Sequence, residues 1–549
     1  MQFETKFRRN NFVFCKLKYE KRAMMSHKRI LLILLGLSLL TVSCSHKEHV
    51  DLILRNAKIY TVNSNFAVMQ SAAVRNGKFV AVSSDANISA RYTADSVIEL
   101  KGKFVYPGFI DAHAHFSQYA LSLSYINLDS ALTIKNVIDQ LDDFQRDNPD
   151  MWIVGNNLNA EVFYDKEMQI CTILNSHFAQ TPVLIWLSDY NSALINKAFA
   201  DMIPADANIR SGIINQRKAL NAAKFIPAPS DSIMAELLKQ AEQNCFDAGI
   251  TSTTDFGASY SDVQLIDSLQ KNGYLRIPVY AILEPLDENV REYISKMPYQ
   301  TDNLKVQSVG ISLDGKLTQN LAVMRAPYGD KQNGQLAISA DSLQNICRTA
   351  YEHGFQMCVN SIGDSATRLA LNTFTKILPI KNDLRWRIEG LHMTVRKDLR
   401  GLNHYNIIPS IQPSQYQASK AFIDSNFSRK LSREAFAWKH FLSHNQGIVC
   451  GTDCPYSQLN PMAVFYAAVK QEKQRTHNKQ SQELTTTQAL KAMTIWAAYS
   501  QFDDKQKGSI EVGKWADFII TSENITTMYQ PNLPNVTVER TYLRGKRVK

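Results

Sequence analysis

Residues 107–115, PGFIDAHAH, carry an apolar strand straight into two histidines at i and i+2. Strand side chains alternate between faces, so His113 and His115 project to the same side, as two arms of one metal site would. Residues 448–455, IVCGTDCP, end a second apolar strand on a carboxylate, Asp453. Two imidazoles and a carboxylate suit zinc, and the same set suits an iron-type facial triad. A divalent ion held this way lowers the pKa of water and polarises a carbonyl, so the residue types point to metal-assisted hydrolysis.

For these groups to meet, distant segments must be positioned by one framework. Apolar, strand-like runs occur at 103–112, 249–256, 276–283, 305–313, 355–362, 384–391, 405–412 and 447–452. Helical stretches such as 340–353, 364–377 and 433–445 separate them. Near-continuous apolar strands alternating with helices indicate a parallel sheet covered on both faces, and eight of them fit a (β/α)8 TIM barrel, an α/β fold. Its eighth strand pairs with its first, which sets Asp453 beside His113 and His115 at the rim where barrels keep their chemistry.

Short strands at 50–60, 72–82 and 96–100, with 516–520 and 540–547, read as one small β-domain assembled from both termini. The expected division is 45–106 with 505–549 for that domain and 107–504 for the barrel. Residues 130–240 are too many for one crossover and contain strand candidates at 151–154 and 182–187. They read as an insertion capping the barrel mouth. Its aromatic residues, Trp152, Phe163, Tyr164, Trp186 and Tyr190, either line a substrate pocket or form an ordinary core.

A chain of 549 residues with 45% hydrophobic residues can bury a large core. Its net charge of +10 is unevenly placed: residues 1–43 hold nine Lys or Arg against two Glu, or +7, which leaves +3 for the rest. That balance gives no case for a nucleic-acid partner. The basic segment leads into the apolar run 30–40 and then Thr41-Val-Ser-Cys44, the order of an export signal starting at Met24 or Met25. The run is too short for a membrane span. Ending on Cys44, residues 1–44 resemble a bacterial lipoprotein signal. That resemblance implies lipidation of Cys44, export, and a membrane-anchored place in the cell envelope. Cys171, Cys245, Cys347, Cys358, Cys450 and Cys454 lie far apart without paired spacing and read as buried thiols.

Further phrases fall in a recognisable order: LDG at 313–315, IGD at 362–364, RIE at 387–389, QP at 412–413, GTDCP at 451–455 and GSIEVGKWAD at 508–517. With 107–115 they resemble the amidohydrolase superfamily, and within it the branch of N-substituted formamide deformylases. The resemblance implies a divalent metal, usually zinc, held by His113, His115 and Asp453, with Asp453 relaying a proton to the leaving nitrogen of a small-molecule substrate.

The departures are equally informative. Gly310 stands where the family carries a bridging lysine, and Asn360, Gly390, Asn191 and Gln415 stand where it carries histidines. Asn191, Asn360 and Gln415, with Tyr190, become substrate-pocket candidates. His392, two residues beyond Gly390 and on the same strand face, is a fourth candidate ligand. A solvent-bonded loop histidine is the plainer alternative for it. Three readings stay open: a one-metal hydrolase of amide or formamide C–N bonds, a non-catalytic binder of a small molecule at the cell envelope, and different chemistry on the remaining His2Asp set.

Overall fold

The computed structural model describes residues 47–549 except 150, 189–191, 205–209, 216, 329–332, 444–446, 471–481 and 529. Residues 1–44, with Cys44, and the pocket candidates Tyr190 and Asn191 therefore lie outside the described residues.

Strands β1 (Phe109–Ile110), β2 (Ile250–Ala258), β3 (Val279–Leu283), β4 (Leu304–Ser312), β5 (Gln356–Ser361), β6 (Arg387–Gly390), β7 (Ile408–Ile411) and β8 (Val449–Cys450) follow one another in a single sheet. Every pairing along it is parallel. All five residues of β3 and all four of β6 and β7 are buried, as expected of strands covered on both faces. The sheet curls until Ala112 N donates to Cys450 O at 3.3 Å and Asp453 N to His113 O at 2.8 Å, so β8 returns to β1. Gly451 permits that approach, because a Cβ there would stand 2.4 Å from the His113 backbone nitrogen. The fold is the predicted TIM barrel with additional sheets.

The strand Phe104–Pro107, one residue before β1, pairs antiparallel with Phe518–Thr521 and parallel with Lys58–Tyr60. Both ends of the chain thus share one six-stranded sheet, and a four-stranded sheet built on Glu48–Arg55 packs beside it. The run 50–60 is two strands rather than one, broken where Asn56 takes a left-handed φ of 51°.

Between β1 and β2 a separate five-stranded sheet forms, containing Ile153–Leu158 and Val183–Leu187 near the predicted positions. Its other strands, Ile126–Asn127, Ser192–Ile195 and Gly212–Asn215, carry too little periodicity to read from sequence. Most of its aromatic residues belong to its own packing. Phe163 and Trp186 sit in the two cores of this unit, and Trp152 packs on Phe199 at 5.3 Å. Tyr164 is exposed.

The predicted helix 433–445 is described only over Trp438–Ser443. Phe436 adopts a φ of 48° and donates its amide to His392 O at 2.9 Å, so the preceding residues bridge to the end of β6 instead. Among the described residues, no helix is long and apolar enough to cross a membrane.

Candidate active site

His113 and His115 leave the rim end of β1 and are held from behind. His113 Nδ1 lies 3.0 Å from Glu389 Oε2, and His115 Nδ1 lies 2.7 Å from the carbonyl oxygen of Phe256. A carbonyl only accepts, so Nδ1 of His115 carries the proton and its Nε2 offers a lone pair. The carboxylate of Glu389 imposes the same orientation on His113. Both Nε2 atoms turn towards Asp453, whose Oδ1 lies 3.4 Å from His113 and 3.5 Å from His115.

The ligand-capable atoms of His113, His115 and Asp453 all lie within 4.8 Å of one another. Two imidazole nitrogens and a carboxylate oxygen, each imidazole fixed by a hydrogen bond on its far nitrogen, are a donor set that fits a divalent metal.

Asp453 sits where it does for local reasons. Its φ of 63° is a left-handed conformation that aspartate tolerates better than most residues. Asp111 clamps the turn before it, accepting from Thr452 N at 2.9 Å, Thr452 Oγ1 at 2.6 Å and His113 N at 3.3 Å. Gln415 Nε2 donates to Asp453 Oδ2, which leaves Oδ1 to face the imidazoles.

Burial opposes charge on Asp453, yet the imidazoles of His113 and His115 beside it hold its carboxyl well below the usual range. Burial likewise opposes charge on His113, but Glu389 and Asp453 raise it to about 9. Glu389 is itself anchored by Arg387 at 2.7 Å, and Arg387 Nη2 donates to Ala112 O at 2.5 Å.

Residues 96–549 match the family described as "Amidohydrolase family". The chain belongs to that family. Amidohydrolases are metal-dependent, and the His113, His115 and Asp453 cluster is the group able to hold a metal among the described residues. "Protein LONG AFTER FAR-RED 3" of Arabidopsis thaliana is 24% identical over 91% of this chain and 91% of its own length. "N-substituted formamide deformylase" of Arthrobacter pascens is 21% identical over 90% of this chain and 97% of its own. The crystal structure of an uncharacterized metal-dependent hydrolase from Pyrococcus horikoshii superposes with a TM-score of 0.75 at 21% identity, covering 87% of this chain and 99% of that one.

The positions expected to differ from the family lie close to packed side chains in this amidohydrolase. A Cβ on Gly310 would meet Ile282 Cγ2 at 2.5 Å and the Phe256 ring at 3.0 Å, so apolar side chains occupy that side of the barrel. The same Phe256 ring lies 4.9 Å from that of His113. Gly390 has a φ of 84°, and a Cβ there would stand 3.0 Å from Asn360 Oδ1.

His392 is buried, but its ring lies against Phe436 at 4.9 Å and is not among the three clustered ligands. Among the described residues neither of its nitrogens has a hydrogen-bond partner, and burial lowers its pKa to about 4. Burial pushes the Cys358 thiol up to about 12, and Cys358 is not among the clustered groups His113, His115 and Asp453.

Sequence reasoning missed two features. Glu389 reaches His113 as well as Arg387, a link readable only once β6 and β1 face each other across the barrel. Tyr456 stands edge-on to His115 at 4.9 Å, and nothing in its spacing marks it.

Proposed function

We propose that this protein hydrolyses a carbon–nitrogen bond of a non-peptide amide or formamide, using one divalent metal, zinc before iron. The observation that carries the reading is the convergence of His113, His115 and Asp453, with each histidine's other nitrogen already engaged. The name of the Arthrobacter relative supports the formamide class. Phe256 and Ile282, packed around Gly310, favour one ion over two.

An ion at this site would supply acidification of water and polarisation of the scissile carbonyl. The chain's own residues do the rest. Ionised Asp453, steadied by Gln415, accepts the proton of the attacking water at a carboxylate oxygen. Once protonated, the same carboxyl can pass that proton to the leaving nitrogen. Glu389 and the Phe256 carbonyl keep both imidazoles from rotating.

The test is elemental analysis of the purified protein beside its His113→Ala variant, with turnover of N-benzylformamide. One equivalent of metal lost in the variant, and hydrolysis reduced about 10²- to 10⁴-fold by Asp453→Asn, are expected. Absence of bound metal ends the proposal. Metal without turnover of any simple amide would favour the second reading, a barrel that binds a small molecule, which the replaced family positions motivate. Retention of the ion by His392→Ala would leave His392 outside the ligand set.

The order of charges, apolar run and Cys44 in residues 1–44 supports export and lipid anchoring at the cell envelope. Labelling with a radioactive fatty acid, lost in Cys44→Ala, tests it.

A further inference from the structure

A cavity of about 660 Å³ lies between the rim of the barrel and the inserted sheet. It adjoins the metal-site residues directly: Cys454 and Tyr456, which follow Asp453, form part of its wall, and the Tyr456 ring touches that of His115 at 4.9 Å. The opposite wall is made of asparagines from the inserted sheet, Asn127, Asn156, Asn157 and Asn159. Its size suits a small organic molecule.

The hydrogen bonds already made by that wall decide what it can offer. Asn127 Oδ1 accepts from Asp129 N at 3.3 Å and Asn157 Nδ2 at 2.9 Å. Asn159 Oδ1 accepts from Glu161 N at 2.9 Å and Val162 N at 3.2 Å. Asn156 Oδ1 accepts from Asn157 Nδ2 at 3.4 Å. The carbonyl ends of these amides are therefore engaged within the protein, while among the described residues the NH2 groups of Asn127, Asn156 and Asn159 have no partner.

Among the described residues, the wall contains no lysine or arginine, and Asp129 is its one charged residue. Lys316 lies over the Tyr456 ring at 5.8 Å but is not part of the wall. A row of uncharged donors beside a carboxylate favours neutral oxygen acceptors over a carboxylate or phosphate, whose desolvation nothing there offsets.

Resting on the hydrolase reading above, we infer that the substrate is an uncharged, oxygen-rich acylamine of the N-acyl amino-sugar kind, seated with its hydroxyl groups on the amides of Asn127, Asn156 and Asn159.

The test is calorimetric titration of chelator-stripped protein with N-formyl-D-glucosamine, N-benzylformamide and N-formyl-L-glutamate. The sugar is expected to bind about tenfold or more tightly than the other two. Asn127→Ala, a change at an exposed side chain, is expected to weaken that binding about fivefold, the equivalent of one neutral hydrogen bond. Asn156→Leu, at a buried position, is expected to act in the same direction. Tighter binding of the aromatic or the anionic formamide, or a sugar affinity indifferent to Asn127→Ala, overturns the inference. Restoring zinc and measuring turnover tests the hydrolase reading separately. Sugar bound but not hydrolysed would uphold this inference and sink that reading, and hydrolysis of N-benzylformamide without sugar binding would do the reverse.

Discussion

At the scale of single residues, Asp453 is built by its neighbours more than by its own preference. Thr452 and His113 fix Asp111, which fixes the turn, and Gln415 then aims the carboxylate. The imidazole of His113 depends in the same way on Glu389, itself fully buried against Arg387. Replacing Glu389 by Gln leaves an amide whose oxygen can still accept from Nδ1, but the negative charge is gone. Metal affinity should fall about 10- to 100-fold, as for other lost partners of ligating histidines. A zinc-chelator competition assay checks this. The variant also leaves Arg387 without its buried carboxylate, so a circular dichroism melt must accompany the assay.

At the scale of elements, the rim of the barrel is tied together by carboxylates at strand ends. Asp314 follows β4, and its carboxylate accepts from Ile362 N at 2.8 Å, Gly363 N at 2.9 Å and Val323 N at 2.8 Å, linking β4 to β5. Burial raises its carboxyl to about 7 against these hydrogen bonds. The folded state therefore holds a proton that the unfolded chain has already released, and stability falls as pH rises from about 4 to about 7. Asp314→Asn should make that limb shallower, seen as urea midpoints that separate less between pH 5 and pH 7 than in the parent protein, where buried Asp111 and Asp255 also contribute.

Packing at β4 supports a second expectation. A methyl group on Gly310 cannot be placed without moving Ile282 or Phe256, so Gly310→Ala should cost about 1–3 kcal/mol in a denaturant titration. Much of this level was legible beforehand. Apolar runs marked all eight barrel strands because burial on both faces removes polar residues from them. The approach of Asp453 to His113 and His115 was legible because the eighth strand of a closed barrel returns to the first. The partners across the barrel were not. No local spacing joins Glu389 to His113 or Tyr456 to His115, nor Asn127, on the two-residue strand Ile126–Asn127, to the asparagines on and just after Ile153–Leu158.

At the scale of the whole molecule, the barrel and the terminal sheets are mechanically continuous. Only Gly108 separates the strand Phe104–Pro107 from β1, and that strand is completed by Phe518–Thr521. Tyr542 stacks on Phe518 with ring centroids 4.4 Å apart, and Val538 and Leu543 are buried beneath the barrel. Truncation after residue 535 should therefore act well beyond the deleted strands, giving a chain that is insoluble or melts at least 10 °C lower in a thermal scan, consistent with the loss of several kcal/mol.

The pairing of residue 107 with residue 518 also has a consequence in time. A ribosome adding about 5–20 residues per second needs roughly 20 to 80 s to travel from one to the other. Throughout that interval the growing polypeptide carries a half-finished ribbon whose open side any other nascent chain could join. Whatever holds the emerging chain apart from its neighbours for that minute helps to determine how many copies ever acquire a working mouth.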